Sequence, residues 1–147
     1  MNRRTLAAAL ALSASALTAA PAHAQDTWER QVTRLLGQVA SVATDNGMTL
    51  THEPWIGSLN DGTSERHTIN LRAGTSYALV GVCDNDCTDL DFRLYDANGN
   101  EVAEDVATDD TPVITITPRR SGQYVLQAVM ADCRADPCRY GIGVYGK

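Results

Sequence analysis

The sequence predicts an all-β fold, an antiparallel jelly-roll-like β-sandwich preceded by one N-terminal amphipathic α-helix. Two patterns carry this. From Gly47 onward, short runs of alternating apolar and polar residues recur, each closed by Gly, Asn, Asp or Pro, which is the signature of many short strands. Before Gly47 the apolar residues fall at steps of three and four, the period of one helical face.

The chain opens with MNRRTLAAALALSASALTAAPAHA. Arg3 and Arg4 precede an apolar run from Leu6 to about Ala20, and Ala22-His23-Ala24 has the small-x-small form of a cleavage site. Residues 1–24 therefore read as a signal peptide, with Gln25 as the expected first mature residue. The run is shorter than the roughly 20 apolar residues that a membrane span needs. The pair Arg3-Arg4 suits general secretion and also resembles a twin-arginine signal. The expected location is periplasmic or secreted, and the expected organisation is 1–24 signal peptide, 25–47 helix and 48–147 sandwich.

Loss of Arg3 and Arg4 with that leader moves the formal charge from −6 to −8. An acidic chain lacks the basic face that phosphate backbones require, so nucleic acid is excluded as an expected partner. Anionic membrane surfaces are disfavoured for the same reason. No later run is long enough to predict a membrane span in the mature chain.

Within 26–45, Trp28, Val32, Leu35, Leu36, Val39, Val42 and Ala43 share one helical face. Asp26 and Glu29 have the spacing of a capping box, and Asn46-Gly47 supplies a left-handed stop. Such a helix either lies against the rest of the domain or docks a partner. Strands are predicted at 49–52, 66–71, 76–83, 89–95, 101–104, 113–117, 123–131 and 140–145. Turns between them use Asn60-Asp61-Gly62, Ala73-Gly74, Asp96-Ala97-Asn98-Gly99, Pro118 and Ser121-Gly122. In 113–117 and 89–95 the apolar residues alternate strictly, so each strand has one buried and one wet face.

Cys83, Cys87, Cys133 and Cys138 all follow the leader, and an exported chain meets an oxidising compartment. The spacings C-x3-C and C-x4-C favour two local bridges, each worth ~2 kcal/mol in the chain-entropy picture. Crossed pairs would close longer loops and be worth ~4 kcal/mol if the two segments met. A four-thiolate zinc site is the functional rival, but the spacing departs from C-x2-C.

The segments IGSLNDGTSERHTINLRAGTSYALVGV, DLDFRLYDANGNEV and PVITITPRRSGQYVLQAV together resemble the bacterial pre-peptidase C-terminal domain. The features that carry the resemblance are Ala73-Gly74 before Tyr77, the stretch from Asp89 through Asp96 to Gly99, and Gly122 with Tyr124. They span roughly residues 56–145. The resemblance implies a β-sandwich of the kind often found behind secreted peptidases, and related sandwiches bind calcium. No peptidase precedes these segments here, so a role in protease maturation does not carry over, and the four cysteines are additions to the pattern.

Between Asp84 and Asp110 lie ten carboxylates against the single Arg93. Asp84, Asp86, Asp89 and Asp91 are the candidate ligands for a calcium ion, which takes six to eight oxygens. The alternative is a solvated acidic face that maintains solubility. Asp96-Ala97-Asn98-Gly99-Asn100 does not fit an EF-hand, whose sixth and twelfth positions would be Glu101 and Ala107, and reads as a hairpin turn. Arg119, Arg120, Arg134, Arg139 and Lys147 near the end balance this acidic middle, within the monomer or between copies.

Trp55 is the candidate recognition residue, since exposed flat rings stack on sugars and partner side chains. His52 and His67 sit in no H-E-x-x-H motif, and no G-x-S-x-G elbow occurs. No catalytic residues are assigned. A carboxylate-based hydrolase is the residual enzymatic reading. The function expected is an exported, non-catalytic binding or interaction module, with calcium as the candidate stabilising ion. The alternative is an accessory or inhibitor-like partner of a separately encoded secreted hydrolase. The expected partner is a protein or polysaccharide outside the cytoplasm.

Overall fold

A computed structural model describes residues 22–147, with side chains from Thr27 onward. Residues 1–21, most of the expected signal peptide, lie outside the described residues. The elements in chain order are α1 (Ala22–Asp45), β1 (Thr49–Leu50), β2 (Trp55–Leu59), β3 (Ser64–Leu71), β4 (Tyr77–Cys83), β5 (Cys87–Tyr95), β6 (Glu101–Asp105), β7 (Val113–Ile116), β8 (Gly122–Cys133) and β9 (Cys138–Gly146).

The strands form two antiparallel sheets. One has the order β1-β9-β4-β7, with β2 also on β9 beside β1, and the other has the order β3-β8-β5-β6. Counted from β2, successive strands alternate between the sheets except at the β5–β6 hairpin, which stays in the second sheet, and this is the wound order of a jelly roll. The space between the sheets is filled by Leu79, Leu90, Phe92, Leu94, Leu126 and Met130, each fully buried, with Tyr140, Ile142 and Val144 of β9 facing them.

Helix α1 covers the outer face of the first sheet. Val32 and Leu36 pack on Val82, while Ala43 packs on Val80 and Tyr145. Gly141 permits this approach, because a Cβ there would lie 2.7 Å from Val32 and 2.8 Å from Leu36. The central strands β4 and β9 are therefore buried on both faces, which is why β4 reads Tyr-Ala-Leu-Val-Gly-Val-Cys without polar alternation. In the second sheet β5 keeps strict alternation, with Leu90, Phe92 and Leu94 inward and Asp89, Asp91 and Arg93 outward.

The helix stops as its sequence predicts. Gly47 has φ +73°, the Met48 N–H donates to Ala43 O at 2.9 Å, and the Gly47 N–H donates to Thr44 O at 2.9 Å. This is the Schellman arrangement. The start differs from expectation: α1 already runs through Ala22, so Asp26 stands inside the helix and is not its N-cap. The segment assigned to the cleavage site is accordingly helical. No helix among the described residues is long and apolar enough to cross a membrane. β2, which no expected strand included, is the other departure, and it borders the candidate site.

Candidate functional site

The two bridges are local, Cys83–Cys87 and Cys133–Cys138, as the spacing favours. Strand pairing sets Cys87 opposite Cys133, so both loops lie at one end of the sandwich. Asp84 is 2 % exposed and is the buried charged residue of the described chain. Its Oδ1 accepts the N–H groups of Asp86 at 3.1 Å and Cys87 at 3.3 Å, and its Oδ2 accepts that of Arg139 at 2.6 Å. The carboxylate therefore organises the first loop and ties it to β9. Asn85 extends the junction, accepting from Gln31 of α1 at 2.6 Å and, through its backbone oxygen, from the Arg134 guanidinium.

The four candidate calcium ligands fall into separate settings. Asp84 is turned into its loop, whereas Asp89 and Asp91 stand on the outer face of β5. One carboxylate oxygen of each, Oδ1, is enclosed without a hydrogen-bond partner. Burial raises the pKa of Asp89, with an opposing backbone hydrogen bond from Asp109, and raises that of Asp91, followed by the charge of Asp89. Among the described residues, no three His, Cys, Asp or Glu side chains converge as a metal-binding group. Asp96 closes the β5–β6 hairpin, its Oδ1 accepting from the N–H groups of Asn98 and Asn100, both at 2.9 Å.

Trp55 belongs to a different arrangement. β2 and β3 are edge strands of opposite sheets, and between them lies a cleft of about 360 Å³ bordered by His52, Glu53, Trp55, Glu65, His67 and Ile142, among others. Glu65 and His67 occupy the inward positions of β3, in line with buried Ile69 and Leu71. Across the gap, Tyr140 of β9 is 0 % exposed. Its hydroxyl donates to Glu65 Oε2 at 2.7 Å and lies 2.9 Å from His67 Nε2, which donates to it. The Trp55 indole is a polar neighbour that opposes the rise in the pKa of that hydroxyl.

This network fixes the indole from beneath. The Trp55 ring lies 4.6 Å from the His67 ring, centroid to centroid, and remains 46 % exposed. Gly57 leaves room there: a Cβ would crowd Trp55 Nε1 at 3.0 Å and the Tyr140 ring at 3.2 Å, so one of them would have to shift. Burial, then the hydrogen bond to Glu65, drives the Tyr140 pKa far above that of a free phenol, and Trp55 only partly opposes them. Burial also lowers the His67 pKa, although Glu65 at 4.0 Å pulls it upward. A neutral, hydrogen-bonded phenol without solvent exposure is poorly placed as a nucleophile, and a neutral imidazole completes the network.

At the far end of the cleft, His52 Nε2 donates to the backbone oxygen of Asn70 at 3.1 Å and links the β1–β2 connector to β3. Sequence reasoning singled out Trp55 but not Glu65, His67, Tyr140 or Gly57. One signal was present: Glu65 and His67 share the parity of Ile69 and Leu71, so two polar residues stand at core positions of one strand.

No family model matches the chain, and no curated protein matches it. Among solved structures, it is similar to the pre-peptidase C-terminal domain of a collagenase from Bacillus anthracis, at 19 % identity and a TM-score of 0.48. The match covers 65 % of this chain and 88 % of that one. It is the same domain that the sequence segments resemble.

Proposed function

We propose that this chain is an exported, non-catalytic binding module and that its ligand seat is the cleft between β2 and β3, with Trp55 as the contact surface. The observation that carries this reading is the exposed Trp55 indole, held in one orientation by a buried Tyr140–Glu65–His67 network. Rings presented rigidly lose little freedom on binding, which is why such residues dominate recognition surfaces. A polar network built under an exposed ring is also the supporting shell that a binding site needs. Two disulfides support an oxidising compartment.

The test compares wild type with Trp55→Ala for retention on cell-wall polysaccharide and for co-isolation of exported proteins. Circular dichroism verifies the fold of both. Retention or a stoichiometric partner that is lost in the variant supports the reading. A separately encoded hydrolase as that partner would identify the module as its accessory subunit. Binding unchanged by the variant would remove Trp55 from recognition.

A further inference from the structure

Resting on that reading of the cleft, we infer that its ligand is an extended segment of a partner protein that places a lysine or arginine side chain between Trp55 and the carboxylates of Glu53 and Glu65. The cleft has an aromatic face and two acidic walls. Glu65 gives one oxygen to the Tyr140 hydroxyl, yet its side chain stays 42 % exposed. An ionised carboxylate has about four acceptor directions, so capacity remains for a charged donor. An indole face attracts cations, and the attraction grows as water is excluded.

Among the described residues, no resident cation competes for this place. Arg66 borders the cleft, but its guanidinium carbon lies 5.4 Å from the centroid of the Tyr95 ring on the outer face of the sheet. His67 is held neutral by burial and turned onto Tyr140. The local field is therefore negative at the point where the indole is exposed.

A peptide fits the geometry better than a sugar chain. Among the described residues β3 pairs only with β8, so its other edge runs open along the cleft from Ser64 toward Asn70, where His52 covers the backbone oxygen. An extended chain added to an open edge gains backbone hydrogen bonds and points alternate side chains to one face. The alternate side chains of β3 itself enter the cleft at Glu65 and His67.

The experiment uses the Trp28→Phe chain, in which Trp55 is the remaining tryptophan, and follows its fluorescence. The probes are short acetylated, amidated strand-forming peptides with one central lysine, arginine, norleucine or glutamate, together with a neutral oligosaccharide. Lysine and arginine peptides are expected to give saturable changes, at least about tenfold tighter than norleucine, equivalent to about 1.4 kcal/mol. Added salt should weaken them. Glu65→Gln should weaken them severalfold, and so should Glu53→Gln, which leaves the Tyr140 network untouched and guards against a folding defect.

Norleucine binding as well as lysine would overturn the cationic assignment while leaving the cleft as the seat. Binding of the oligosaccharide without the basic peptides would do the same and make the ligand a polysaccharide. If no probe moves Trp55 emission and Trp55→Ala retains every cellular partner, the cleft reading itself falls.

Discussion

The Tyr140 hydroxyl of β9 donates to the Glu65 carboxylate of β3 at 2.7 Å, a contact between opposite sheets and between residues 75 positions apart. It joins the sheets at the edge where the core opens. In Tyr140→Phe the ring remains but Glu65 and His67 lose their common partner, and the Trp55 indole loses a polar neighbour. The expected cost is about 1 kcal/mol, because Glu65 can turn to water but the largely enclosed His67 Nε2–H is left unpaired. Urea denaturation measures it. Trp55 emission in the folded variant should shift as well, since the indole loses that neighbour.

His67 gives the same network a pH dependence. Its folded pKa is depressed below 6.5 by burial, so the unfolded chain takes up a proton before the folded one does. Its stabilising contribution is thus complete above pH 6.5 and is lost as pH falls toward the folded pKa. Melting curves between about pH 7 and pH 5 should show a steeper fall for wild type than for His67→Gln, which cannot titrate there. Equal slopes would show that the imidazole does not couple to stability.

Asp84 should matter more for the disulfide end than either loop length suggests. Its carboxylate accepts three backbone N–H groups, two within the Cys83–Cys87 loop and one from Arg139. Asp84→Asn turns one acceptor into a donor facing those N–H groups. A loss of about 1–3 kcal/mol is expected from the buried mismatch. Faster reduction of Cys83–Cys87 than of Cys133–Cys138, followed by thiol labelling, would locate the loosening. Unchanged stability would mean that the loop is held by its bridge alone.

Local patterns made much of the fold legible. Leu90, Phe92 and Leu94 alternate with outward polar residues in one strand, and Asn46-Gly47 ends the helix where its sequence indicates. β2 was hidden because Trp-Ile-Gly-Ser-Leu follows a proline and carries a glycine at its centre, which reads as connector. A side chain at that position would crowd both Trp55 and Tyr140. The cleft was legible only in Trp55. The core parity of Glu65 and His67 marks polar residues in β3 but does not name their partner, and winding of the chain between sheets is what brings Glu65 to Tyr140. The acidic cluster shows the converse, since proximity along the chain placed Asp84 inside a loop and Asp89 and Asp91 outside the sheet.

That separation leads to a test of calcium in which one substitution divides the two readings. Asp89 and Asp91 share the outward face of β5, and each has one enclosed oxygen without a partner. Burial raises both pKa values above 3.8, so the folded chain holds protons that the unfolded chain releases. Stability therefore falls as pH rises from 3.8 through the folded pKa, and at neutral pH the ionised pair is a net cost. Asp91→Asn should raise the Tm at pH 7, with the gain disappearing below about pH 3.8, where both carboxyls are protonated in either state. Millimolar calcium and excess chelator should leave the wild-type Tm unchanged, because two outward carboxylates fall short of the six to eight oxygens that the ion takes. A resident calcium would reverse both results by binding only the native chain: calcium would raise the wild-type Tm, and Asp91→Asn would lower it in calcium.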